Sequence, residues 1–165
     1  MARRTRTYVA FDADTDIRYY RLMQAWKAND GIDFDFNNAH DLTTIRPDSG
    51  EEAIKASLRE RMKNSKNLVV LVGENTKTLR KYVPWEIEIA IKADLPIIVV
   101  NLNGEKKFDS DLCPSLLKEE LAVHIPFGVD IMQYALDKWP ASHAKHRSAD
   151  ESGPYWYKDS VYENL

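Results

Sequence analysis

Asn67-Leu-Val-Val-Leu-Val72 is the most apolar strand-length run in the chain, and it ends at Gly73. A run of aliphatic residues without alternation reads as a strand covered on both faces, as in the middle of a parallel sheet. A buried parallel strand needs neighbours joined by helical crossovers, so the flanking sequence has to alternate short β-branched runs with stretches at helical spacing.

It does so in both directions. Toward the N-terminus, residues 51–64 read as a helix with Ile54, Leu58 and Met62 facing inward, and residues 32–36 alternate apolar with charged, as a half-exposed edge strand would. Residues 7–11 form a first strand, and Tyr19, Leu22, Met23 and Trp26 mark one face of the helix after it, ended by Gly31. Toward the C-terminus, Pro84 suits a first helical position, with Val83, Ile87, Ala90 and Ile91 as a buried stripe behind it. Strands are then expected at 96–102 and 121–127, a short helix at 111–121 and a last helix at 129–139. The expected architecture is α/β: a doubly wound, flavodoxin-like, five-stranded parallel sheet with ligand sites at the carboxyl ends of its strands. Residues 1–139 make up this domain. Residues 140–165 follow as a tail carrying Tyr155, Trp156, Tyr157 and Tyr162, expected to pack back on it, with 141–153 read as loop.

Composition narrows the function. The 165 residues are 44% hydrophobic and 30% charged, enough apolar bulk for one core. The formal net charge of −3 is spread with both signs interspersed, which removes the electrostatic case for nucleic acid; the Arg3-Arg4-Thr-Arg6 cluster reads as a solvated start. No apolar run is long enough to span a bilayer and no signal-peptide core is visible, so a cytoplasmic protein without a membrane partner is expected. Cys113 is the single cysteine, so no internal disulfide can form. His143 and His146 sit three apart without thiol partners, and His40 and His124 have no diagnostic spacing, so no metal is expected. There is no Gly-x-Ser-x-Gly elbow and no phosphate-cradling loop.

Polar residues collect after the first three strands. The first loop holds Phe11-Asp-Ala-Asp-Thr-Asp16, in which one of Asp14, Thr15 and Asp16 is expected to cap the next helix, leaving Asp12 for other work. The loop over 37–50 is long and polar, with His40 and Asp41, and a loop of that length is often functional. Two glutamates share the helix after the third strand. Glu88 has Lys92 four residues on and reads as half of a surface ion pair, whereas Glu86 has Ala90 there and no cation on its face. Either the helix macrodipole or chemistry accounts for a carboxylate at that place.

Arg46-Pro-Asp-Ser-Gly50, Leu68-Val-Val-Leu-Val72 and Tyr82-Val-Pro-Trp-Glu86-Ile-Glu-Ile-Ala90 together resemble the Toll/interleukin-1 receptor (TIR) domain. The likeness is greatest to the compact bacterial and archaeal TIR-like branch that includes the ThsB proteins of Thoeris anti-phage defence, and it extends over about residues 7–130. Aligning on the end of the family's Trp-Cys-x-x-Glu motif puts its catalytic glutamate on Glu86. Tyr82 and Val83 stand for the Trp and Cys, and Trp85 immediately precedes the glutamate.

The resemblance implies an NAD nucleosidase or ADP-ribosyl cyclase-type enzyme. It would cleave the nicotinamide–ribose bond to give ADP-ribose, a cyclic isomer or an ADP-ribosyl conjugate, with NAD as substrate and no cofactor. Glu86, ionised at neutral pH unless burial raises its pKa strongly, would stabilise the ribosyl oxocarbenium ion. Phe11, Asp12, Asp14, Asp41 and Tyr82 would line the nucleotide site. Implied partners are a homo-oligomer formed on triggering, from a monomer or weak dimer at rest, and a downstream effector that senses the product nucleotide. The alternative is a TIR-like module that signals by assembly without chemistry. A phospho-receiver shares the topology and would use Asp12 and Asp14, but Val72-Gly73-Glu74 stands where its phosphoacceptor should be and no Lys follows the fifth strand.

Overall fold

The computed structural model describes residues 6–29, 35–37 (backbone only) and 50–165. Its elements run β1 (Arg6–Ala10), α1 (Ala13–Ala28), β2 (Asp35–Asn37), α2 (Glu51–Met62), β3 (Asn67–Val72), α3 (Val83–Lys92), β4 (Ile97–Asn101), β5 (Ala122–Pro126), α4 (Val129–Ser148), β6 (Pro154–Trp156) and α5 (Asp159–Glu163). The five expected strands stand in the order 2-1-3-4-5, all parallel, with β2 at the edge, and β6 adds a sixth strand beside β5. This is the doubly wound, flavodoxin-like arrangement, with the chain reversing direction across the sheet between β1 and β3.

Burial explains the order. Every residue of β3 and β4 is buried, and β3 pairs with β1 on one side and β4 on the other. Ile54, Leu58 and Met62 form the inward stripe of α2, as their spacing predicts. On α1 the stripe is rotated: Asp16, Tyr20 and Met23 are buried, whereas Leu22 is 48% exposed. The four apolar positions fixed the period but not the face, since Tyr19 and Trp26 sit half-buried at the stripe's margin, both against Phe127. The helix ends at Ala28, ahead of the expected stop at Gly31, with Asn29 as its cap.

Two segments depart further from expectation. The helix expected over 111–121 is reduced to a single 3-10 turn, Ser115–Leu117. Asp109 takes up the backbone N–H groups of Asp111 and Leu112, and Pro114 follows at once, so no longer run of helical bonds starts there. Conversely, α4 does not stop at Trp139 but continues through Pro140 to Ser148, across most of the stretch read as loop. Its second half is anchored by side chains. His143 Nε2 lies 3.2 Å from Asp94 Oδ1, and Arg147 bonds Asp94 at 3.0 Å and Glu120 at 3.1 Å. Beyond it the aromatic residues pair rather than trail: Tyr155 stacks on His146 at 4.1 Å, and Tyr157 meets Tyr134 edge-on at 5.0 Å.

Gly73, at the end of β3, is required for space. A Cβ built there would stand 2.6 Å from Asp16 Oδ2 on α1. The variant Gly73→Ala should therefore lose roughly 1–3 kcal/mol through overpacking. Chemical denaturation measures this, and adding Asp16→Ala, which clears the obstruction, should return part of the loss.

Candidate active site

The chain enters α3 through a strained residue. Tyr82 has φ 59° and ψ −78°, a region a non-glycine residue occupies at a cost of about 1–3 kcal/mol. The turn sets Val83 and Pro84 as the first two helical residues, where a missing N–H costs nothing. The first helical bond runs from the Glu86 N–H to the Tyr82 carbonyl at 2.8 Å. Val83, Trp85, Glu86, Ile87 and Ala90 are all buried, so the helix sinks its opening turns into the protein, and its glutamate with them.

Glu86 retains only 2% of its surface. Burial pushes its carboxyl from an ordinary 4.5 up to about 8, with the Tyr8 hydroxyl pulling slightly the other way. A helix N-terminus favours negative charge, but desolvation outweighs that here. The resting side chain is thus largely a neutral carboxylic acid at pH 7, the case of strong burial that the sequence expectation set apart. Tyr8, fully buried on β1, faces this carboxyl, and its own hydroxyl is driven up by burial first and by Glu86 second. The two interact through a weak hydrogen bond that each group's titration feels, but neither the Tyr8 hydroxyl nor Glu86 Oε2 has a partner of full hydrogen-bonding length and angle among the described residues. Among the described residues no cation figures in the influences on Glu86; Arg61 of α2 acts on Tyr8 instead. Sequence reading passed over Tyr8, whose only signal was a hydroxyl inside an otherwise apolar strand.

The other expected site residues divide. Tyr82 is 38% exposed beside Glu86, its ring 5.7 Å from that of Trp85. Phe11, Asp12 and Asp14 gather where β1 meets α1. Phe11 is a core ring there, stacked on Tyr20 at 4.8 Å. The cap of α1 is Asp12, not Asp14, Thr15 or Asp16: one carboxylate oxygen accepts the Asp14 N–H at 3.1 Å and the other the Thr15 hydroxyl at 2.9 Å. Asp14 is exposed. Asp41 and His40 lie outside the described residues.

The remaining candidates fall to structure. Glu88 closes no ion pair with Lys92 and acts instead on Lys55 of α2. His124 is fully buried, and burial lowers its pKa to about 4, leaving a neutral ring against Phe108. Burial lifts the Cys113 thiol to about 11, which removes it as a nucleophile. Among the described residues no three His, Cys, Asp or Glu side chains are grouped to hold a metal, and no helix is long and apolar enough to cross a membrane. What the site offers is one carboxyl group in a low-dielectric setting, one helical turn after an exposed aromatic residue.

A family model, that of the TIR-like domain of Thoeris protein ThsB, matches residues 8–107. That range runs from within β1 through β4 and includes Tyr8, Tyr82 and Glu86. Among solved structures, the chain is similar to a conserved protein from Enterococcus faecalis V583 at 15% identity and a TM-score of 0.50, over 97% of this chain and 95% of that one. That likeness concerns the fold.

The raised Glu86 pKa has a cost in stability. Between pH 4.5 and about 8 the unfolded chain has released this proton while the folded protein still holds it. Stability therefore falls as pH rises through that window, by an amount on the order of a few kcal/mol, and levels off above it. Glu86→Gln removes the ionisation, so the variant should melt higher than wild type at pH 8, with the gap closing toward pH 5.

Proposed function

The chain belongs to the ThsB TIR-like domain family, and from that premise we propose that it is an NAD-consuming signalling enzyme of anti-phage defence in which Glu86 stabilises the transition state. The observation that carries this is the buried carboxyl itself, for which the described residues supply neither a partner at Oε2 nor a cation. A group kept at such cost in the opening turns of α3 is what a catalytic role explains and a structural one does not.

The chemistry follows from its charge. The bond between ribose C1′ and the nicotinamide nitrogen breaks, its electron pair leaving with nicotinamide as a neutral molecule, and positive charge develops on the ribose. Glu86 has to be deprotonated to face that charge. With a pKa of about 8 the free protein holds the anion in only about a tenth of its molecules at pH 7. The nicotinamide ring of NAD is cationic, so docking it beside the carboxyl lowers this pKa and releases the proton to solvent. Substrate thus charges its own catalyst. A nucleophile then takes C1′ and loses its proton, giving ADP-ribose with water, a cyclic isomer with an internal atom, or a conjugate with an added acceptor. By the family resemblance, Tyr82 flanks the nicotinamide, and Phe11, Asp12, Asp14 and Asp41 line the nucleotide. The product nucleotide acts as a messenger to a downstream effector, and a homo-oligomer formed on triggering completes the site.

One observation favours the alternative of a non-catalytic assembly module: at 2% exposure the carboxyl is sealed, and a domain that works by assembly needs no open site. Nicotinamide release separates the two. Wild type should release it, with kcat/KM rising about tenfold per pH unit below 8 and levelling above, while Glu86→Gln falls at least a hundredfold. Equal release by both would remove Glu86 from the mechanism. No release at any pH, together with assembly by light scattering, would favour the module.

A further inference from the structure

A cavity of about 660 Å³ lies in the trough between α2 and α3, lined by these two helices and the turns that follow them. Its volume is within the range of small-ligand cavities. Both helices carry the chain from the carboxyl end of one parallel strand to the start of the next, so they run in the same direction. The floor is apolar. Trp85 and Ile89 belong to a small cluster with Ile54 and Leu58 that joins α2 to α3, and Met62 and Leu95 continue the floor toward the helices' ends.

Charges are sorted along this trough. At the end where the helices begin, Glu52 and Glu88 stand with Lys55, which bonds Glu51 at 3.0 Å and feels both other acids. The Lys55 ammonium also lies 5.2 Å from the centre of the Trp85 ring, a contact that fixes the level of one helix against the other. Arg59 stands one turn beyond Lys55, and Lys92 one turn beyond Glu88, so the two helices bring them to the same end of the cavity. Both are exposed, and among the described residues neither takes part in an ion pair. Lys63 adds a third cation there, held only by a 3.9 Å contact with Glu60. Among the described residues no acid lines this end.

The helix macrodipole favours cations in a last turn, and Arg59 and Lys92 stand in such turns. That field is served equally by Arg61, which shares the last turn of α2 and acts on Tyr8. It does not require Arg59, Lys63 and Lys92 to converge on one apolar floor. An anion reaching this end meets cations not spent on the protein's own acids, and an apolar body attached to it covers the floor.

We propose that this cavity binds a small amphipathic acid, its acid group between Arg59 and Lys92 and its apolar body along Ile89 and Trp85. The site is separate from Glu86 and does not rest on the proposed NAD chemistry. Amide NMR titration with octanoate tests it, with octanol and octylammonium as controls that keep the chain and change the head group. Saturable shifts are expected at Arg59, Met62, Ile89 and Lys92 with octanoate, and clearly weaker binding of both controls. Arg59→Gln and Lys92→Gln, at exposed positions where folding is not at stake, should weaken octanoate binding by about threefold each and roughly tenfold together. Glu52→Gln, at the opposite end, should leave the affinity unchanged or raise it. Absence of saturation, equal or tighter binding of octylammonium, an affinity that the double variant keeps, or a loss in Glu52→Gln would each overturn the proposal. So would shifts at these residues that follow protein concentration instead of octanoate, which would mark an interface between copies.

Discussion

A carboxyl group buried where the first turns of a helix meet a parallel sheet is the constraint around which the functional half of this protein is arranged. Glu86 reaches that position because α3 sinks its opening residues, and α3 does so because Val83, Trp85, Ile87 and Ala90 are buried with it. The desolvation this imposes outweighs the favourable field of the helix N-terminus and leaves a group that gives up its proton near pH 8 instead of near 4.5. A carboxylate in water would be charged at all times and worth little against a developing cation. One held neutral in the interior becomes charged when a cation arrives, and then acts in a medium that screens it weakly.

The surrounding geometry maintains this state at a recognisable cost. Tyr82 stays in a strained backbone conformation that turns the chain into α3, with its ring exposed and tilted against Trp85. Tyr8 turns a buried hydroxyl toward the carboxyl and offsets only part of the cost of burying it. Strain and unmatched polarity in one place lower stability, and a fold tolerates them where function uses them. The rest of the sheet supplies the compensation: β3 and β4 are buried along their whole length, and the segment after α4 closes the β5 edge with a sixth strand.

Much of this is legible in the sequence, and the limits are physical. The bounds of β3 follow from one uninterrupted aliphatic run, and the α2 stripe from its spacing. Leu22 misleads because apolar spacing sets a helix's period without choosing its face, and the face that α1 buries with Tyr20 and Met23 also carries Asp16, a polar residue whose type points to solvent. Pro140 reads as a terminator, yet α4 passes through it because His143 and Arg147 tie the next turns to Asp94 and Glu120, residues distant in sequence. Gly73 reads as a strand breaker, but its lack of a side chain makes room for the Asp16 carboxylate. For the site, Glu86 could be singled out by the absence of a partner at i+4. Its burial, and hence its charge, could not, because both depend on β1 and the depth of α3.

The account turns on the protonation of one side chain, and carboxyl-carbon NMR with glutamate labelled at Cδ observes it directly, Glu86→Gln identifying the resonance. The titration midpoint of Glu86 in the free protein is expected near 8, moving downward when a non-cleavable NAD analogue that keeps the cationic ring is bound. A midpoint at the ordinary value near 4.5, or one that the analogue leaves in place, would contradict it.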